Sequence, residues 1–132
     1  MTKPSDYENL QTDIRQWQTP EIEAFVNIYP DREYEINMTV QEFSCVCPKT
    51  GQPDFAKLTI QYIPDRRILE SKSLKLYLWS YRSRGIFHEH GVNTILDDLV
   101  SALLPRWCKV TGEFAIRGGI AITVEAEYND KG

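Results

Sequence analysis

The stretch Glu70-Ser71-Lys72-Ser73-Leu74-Lys75-Leu76-Tyr77-Leu78-Trp79-Ser80-Tyr81-Arg82 is where the chain changes period. Leu74, Tyr77, Leu78 and Tyr81 recur at i, i+3, i+4 and i+7, which predicts a helix with one apolar face. Lys72, Lys75, Trp79 and Arg82 fall on another face. Upstream the period is two. Over residues 32–43, Tyr34, Ile36, Met38 and Val40 point one way and Glu33, Glu35, Asn37, Thr39 and Gln41 the other, the pattern of a strand with one wet face. Pro48, Gly51 and Pro53 predict a loop over residues 48–54, with Cys47 and Asp54 at its ends. A second strand is expected near residues 56–63, closed by Pro64-Asp65.

Downstream, residues 92–104 repeat the helical pattern through Val92, Ile95, Leu96, Leu99 and Leu103, and Pro105 stops it. Two strands follow around Gly118-Gly119, a hairpin turn, with Ile120, Ile122, Val124, Ala126 and Tyr128 alternating against Thr123, Glu125 and Glu127. The order is strand, strand, helix, helix, strand, strand. That order implies an α+β protein: a four-stranded antiparallel sheet with both helices on one face, whose other face and edges are most simply covered by oligomerisation. Residues 1–30, with Pro4, Pro20 and Pro30, read as an N-terminal arm carrying one short helical piece around residues 21–27. Residues 31–132 read as a single catalytic domain.

Composition bounds the function. A chain of 132 residues, 42% hydrophobic, supports one core. The net charge of −4 and pI near 5.2 exclude the overall basic field that draws in nucleic acid, so no nucleic-acid partner is expected and a small anion needs a local basic patch. No leader-like or membrane-spanning apolar run is present, which points to a cytoplasmic protein without a membrane partner. Three cysteines without a paired spacing read as free thiols. Cys-x-x-Cys and His-x-x-x-His spacings are absent, so no metal is expected.

Several residues admit a chemical and a plain reading. Cys47 stands at a strand end beside a Gly/Pro loop, where a thiolate can meet a ligand, or it is a buried small hydrophobe. Cys45 and Cys108 are assigned to packing. Asp54 can return a carboxyl to the sulfur, or it is a turn aspartate bonded to backbone amides. His88-Glu89 precedes the second helix as a proton relay and carboxylate, or as its cap. Glu70 caps the first helix or places its carboxylate in a pocket. Lys72 and Lys75, with Arg117, suit phosphates, or the lysines are a solvated face.

At Glu42-Phe43-Ser44-Cys45-Val46-Cys47-Pro48-Lys49-Thr50-Gly51-Gln52-Pro53-Asp54-Phe55-Ala56 the chain resembles the QueF family, the 7-cyano-7-deazaguanine reductases of queuosine biosynthesis, a tRNA modification. Glu70-Ser71-Lys72-Ser73-Leu74-Lys75, Phe87-His88-Glu89 and Arg117-Gly118-Gly119-Ile120 carry the same resemblance. It implies the tunnelling fold (T-fold), closed into a multi-subunit barrel with active sites at subunit interfaces, and a single-unit subfamily. It further implies Cys47 as nucleophile, Asp54 as acid with His88 beside it, and Leu69, Glu70, Ser71, His88 and Glu89 around the substrate. NADPH is the implied cofactor, held by Lys72, Lys75 and Arg117. The alternatives are an amidinotransferase of the same fold acting on nitrile-bearing tRNA and a zinc-dependent pterin-type cyclohydrolase.

Overall fold

The computed structural model describes residues 19–131; most of the expected arm therefore lies outside the described residues. Its elements are β1 (Ala24–Val26), β2 (Ile36–Val46), β3 (Pro53–Ile63), β4 (Arg67–Leu69), α1 (Ser71–Trp79) with a 3-10 turn (Ser80–Ser83), α2 (His88–Leu103), β5 (Trp107–Arg117) and β6 (Ile120–Asn129). The four long strands form one antiparallel sheet in the order β2-β3-β5-β6, and β1 pairs antiparallel with β4 in a small second sheet. The expected order of two strands, two helices and two strands holds, with β1 and β4 added.

Alternation along the strands selects the helix-facing side. Ala56, Leu58, Ile60 and Tyr62 of β3 and Cys108, Val110 and Phe114 of β5 are buried. They share one core with Leu74, Tyr77, Leu78 and Tyr81 of the first helical segment and Val92, Ile95, Leu96, Leu99 and Leu103 of α2. Both predicted apolar stripes are thus the buried faces of their helices. No described helix is long and apolar enough to cross a membrane.

Helix ends follow from local chemistry. Glu70 caps α1, its carboxylate accepting from Lys72 N (2.9 Å) and Ser73 N (2.7 Å). α2 begins at His88, a turn before the apolar pattern, because Phe87 is its N-cap and takes the Gly91 amide at 2.8 Å. His88 and Glu89 therefore lie inside the first turn. Leu104, in the left-handed conformation (φ 48°), and Pro105 end the helix.

The short helical piece expected around residues 21–27 is a strand. Ala24 faces Leu69 and Val26 faces Arg67, while Glu70 N donates to Glu23 O (3.0 Å) and Asn27 N to Arg66 O (2.9 Å). One or two turns of isolated helix do not repay nucleation, and β4 offers the same backbone groups partners at once.

Each of two bulges adds one residue. Val40 pairs with Leu58 but Phe43 with Ala56, so β2 gains a residue on β3 at Gln41-Glu42. Phe114 pairs with Ile122 but Arg117 with Ile120, so β5 gains one on β6 at Ala115-Ile116. Side chains past a bulge change sides. The inward set of β2 accordingly switches from Ile36, Met38 and Val40 to Phe43 and Cys45.

Gly112 lies against Val92 of α2. A Cβ there would stand 2.8 Å from Val92 Cγ2 and 3.0 Å from Phe114 Cε1, both buried. Gly112→Ala is expected to destabilise the fold by about 1–3 kcal/mol, the usual cost of overpacking. The urea midpoint at fixed protein concentration measures it.

Candidate active site

β2 and β3 are joined by a tight turn. Cys47 N donates to Gln52 O and Gly51 N to Cys47 O, each at 2.9 Å. Gly51 takes φ +73°, where a side chain is strained. The loop expected over residues 48–54 is shorter than that, because Pro53 and Asp54 already belong to β3. Proline is tolerated as the first residue of a strand. Asp54 lies opposite Cys45 rather than at a loop end, with its carboxyl mostly buried. The β2 bulge puts Cys47 on the same side of the sheet.

The chain before α2 is fastened to the same strand end. Val46 N donates to Arg84 O and Ile86 N to Val46 O, both at 3.0 Å, around a parallel bridge between Val46 and Gly85. This anchor delivers His88 to Asp54, Nε2 to Oδ2 at 3.1 Å, an ion pair when His88 is protonated. The imidazole stacks on Phe114 with ring centres 3.8 Å apart and planes 8° from parallel. Arg117, turned to this side by the β5 bulge, donates from Nη2 to Pro53 O. Glu89 is exposed in the first turn of α2 beside His88.

The thiols differ sharply. Cys47 is pulled below the usual thiol range, foremost by the neighbouring Thr50 hydroxyl and then by the Thr50 and Lys49 amides, while desolvation and the Asp54 charge oppose this. Burial pushes Cys45 up to about 11, with help from the Asp54 and Cys47 charges, and Cys108 up to about 12. Cys45 and Cys108 are inert core thiols, as expected; Cys47 has the partly exposed, donor-rich setting of a reactive one.

Other candidate residues lie elsewhere. Leu69 is buried and its N–H donates to Tyr62 Oη at 3.0 Å. Tyr62 and Asp54 are eight residues apart on β3, roughly 26 Å along the strand, so Leu69, Glu70 and Ser71 belong to the opposite end of the sheet within one chain. Lys72 and Lys75 are exposed on α1, where the Lys75 ammonium lies 4.9 Å and the Arg82 guanidinium 5.5 Å from the ring centre of Trp79. Exposed cations around one half-exposed indole are a donor set that fits an anionic dinucleotide such as NADPH. Among the described residues, no three His, Cys, Asp or Glu side chains cluster as metal ligands.

Phe114 and Thr50 were not singled out by sequence.

A family model described as QueF-like protein matches residues 53–132, more than half of the chain. The chain belongs to the QueF family. Relatives called NADPH-dependent 7-cyano-7-deazaguanine reductase include one from Syntrophus aciditrophicus, 68% identical over 84% of this chain and 79% of its own. Another, from Nitrosomonas europaea, is 55% identical over 85% and 81%. A QueF-family solved structure, the archaeosine synthase QueF-Like in the apo form, superposes with TM-score 0.66 at 28% identity, over 70% of this chain and 91% of that one.

Thiol reactivity tests the assignment of the three cysteines. At pH 8, iodoacetamide is expected to add one label to the folded protein, at Cys47, none to Cys47→Ala, and three to the urea-unfolded wild type. Intact-mass measurement counts the labels. Labelling of folded Cys47→Ala would contradict the protection of Cys45 and Cys108.

Proposed function

We propose that this chain reduces the nitrile of 7-cyano-7-deazaguanine to the aminomethyl group of 7-aminomethyl-7-deazaguanine, consuming two NADPH, in queuosine biosynthesis. The observation that carries the reading is the placement of Cys47, Asp54 and His88 at one sheet end, on one face, in a chain 68% identical to a reductase of that name.

The thiolate of Cys47 adds to the nitrile carbon. One C–N π pair moves to nitrogen as the C–S bond forms, and the nitrogen takes a proton from Asp54, giving a covalent thioimide. Asp54 holds that proton in company with His88, 3.1 Å away, so the pair can pass one proton inward and be refilled from the partly exposed imidazole. When bound, NADPH supplies hydride, twice per nitrile, so that two hydrides and two protons convert R–C≡N to R–CH2–NH2. Cys47 departs as thiolate after the first reduction, and the turn donors that favour its charged form make it a good leaving group. Glu89 accepts from the ring N–H and exocyclic amine of the guanine-like edge.

Leu69, Glu70 and Ser71 reach a substrate on Cys47 only from a second copy. The reading therefore includes a homo-oligomeric T-fold barrel with sites at subunit interfaces, each built from the Cys47 end of one chain and the α1 start of its neighbour. Lys72 and Lys75 would hold NADPH phosphates beside that junction, with Arg117 contributed from the Cys47 side. The catalytic unit is residues 31–132, preceded by an arm; the protein works in the cytoplasm and needs no nucleic-acid or membrane partner.

Likeness to an archaeosine synthase favours one second reading, amidine formation on a nitrile-bearing tRNA. Incubation with 7-cyano-7-deazaguanine separates the two. Reduction predicts a mass adduct on Cys47 and loss of NADPH absorbance at two equivalents per nitrile, whereas an adduct without NADPH oxidation would favour the amidinotransferase. Cys47→Ala is expected to abolish both adduct and turnover. Asp54→Asn should lower turnover by at least about 100-fold, the scale of a lost general acid. Steady-state NADPH oxidation checks both variants, and retained turnover in Cys47→Ala would sink the mechanism.

A further inference from the structure

We propose that Phe114 is a positioning residue of the acid pair: its ring is the plate on which the His88 imidazole is laid, so that Nε2 meets the Asp54 carboxyl in one orientation. The proposal rests on the reading of Asp54 and His88 as the proton source for the nitrile nitrogen. The resemblance assigns Phe114 no role.

A histidine side chain has two torsions, and the outer one, χ2, turns in a broad two-fold well that rotamer preference leaves loose. The plane of the His88 ring is therefore set by what touches it. Among the described residues its polar contact is Asp54, Nε2 to Oδ2 at 3.1 Å. One such contact fixes a separation but lets the ring turn about the line joining the two atoms. Phe114 removes that freedom. Its ring lies flat against the imidazole, centres 3.8 Å apart and planes 8° from parallel. The other aromatic pairs among the described residues are inclined, by 51° to 79°, and of these arrangements the parallel one is that which fixes a plane. Contact and plate together determine both the distance and the tilt of the imidazole.

The plate is itself held. Phe114 is 6% exposed, and its backbone is paired on both sides, with Ala56 of β3 and Ile122 of β6, on the last regular rung before the β5 bulge. Gly112, two residues back on the same face, leaves the space that the edge of the phenyl ring fills: a Cβ there would stand 3.0 Å from Phe114 Cε1. Asp54 stands two residues before Ala56 on the neighbouring strand. Carboxyl and plate thus belong to adjacent strands of one sheet, and His88 bridges them from α2.

The chain holds two histidines, so NMR of protein carrying isotope-labelled histidine can follow the His88 ring singly, with His90→Gln making the assignment. Protons above a phenyl face are shielded by its ring current. The His88 ring protons are therefore expected upfield in wild type, and Phe114→Leu, which stays apolar but lacks the flat ring, should move them toward their position in the urea-unfolded chain. The same variant should slow thioimide formation from 7-cyano-7-deazaguanine about ten- to a hundredfold, the scale of a misplaced reacting group, and leave KM for the nitrile nearly unchanged. Phe114→Met carries the same expectation, should leucine pack poorly. Phe114→Tyr, which keeps the ring, should restore shielding and rate. Val110→Ala, which loosens the same face of β5 away from His88, should alter neither. An unshifted His88 resonance or a wild-type rate in both Phe114→Leu and Phe114→Met would overturn the proposal. So would a loss that Val110→Ala shares, because general loosening of the core would then be responsible. Wild type with a shielded His88 that forms no thioimide and oxidises no NADPH would overturn the proposed function while leaving the placing of His88 by Phe114 intact.

Discussion

The extra residue at Gln41-Glu42 of β2 is the constraint on which the site depends. Before it, Ile36, Met38 and Val40 face the helices; after it, Phe43 and Cys45 do, and the same alternation leads on to Cys47. An unbroken strand would carry Cys47 to the outer face of the sheet, away from Asp54 and His88, since a slip of one residue reverses every side chain. The bulge on β5 does the same for Arg117 at the same end of the sheet. Two small irregularities, each leaving local backbone out of the ladder, gather on one side residues that strict alternation would divide. Bulges near sites that re-aim side chains are a recurrent use of this device.

That device explains what was legible in the sequence and what was not. Helix faces were legible because Leu74, Tyr77, Leu78 and Tyr81, and likewise Val92 through Leu103, each repeat at the helical period and have no other way to bury their surface. The succession of long strands and helices along the chain followed from period in the same way. The β2 bulge was not legible: Gln41 and Glu42 are polar neighbours that alternation simply runs through until Phe43. The segment around residues 21–27 was misread for a different reason. Glu21-Ile22-Glu23-Ala24-Phe25-Val26 is too short for either period to dominate, and the decision belongs to Glu70 and Arg66, distant in sequence, which pair with its backbone.

In the site, Cys47, Asp54 and His88 were recognisable as residue types and by resemblance, but their mutual distances were not. The closeness of His88 to Asp54 comes from the Val46–Gly85 bridge, a contact between backbone atoms that leaves no trace in side-chain pattern. Stacking of His88 on Phe114 is similar, since any inward aromatic on β5 would look the same from periodicity. Conversely, Glu70 was ambiguous between cap and pocket, and in the structure it holds the first turn of α1, where the bonded amides keep its carboxyl below the usual range. A cap does not exclude a substrate role, because a carboxylate has four lone-pair sites and two amides use only part of them.

A thiolate and an acid set side by side oppose each other, and the surroundings resolve that opposition in two separate ways. The Asp54 charge raises the thiol's pKa. On the sulfur side, the Cys47–Gln52 turn answers with neutral donors. On the acid side, His88 can answer with a positive charge at 3.1 Å. Phe114 contributes through geometry: the His88 imidazole lies stacked on its ring, with Nε2 3.1 Å from Asp54 Oδ2.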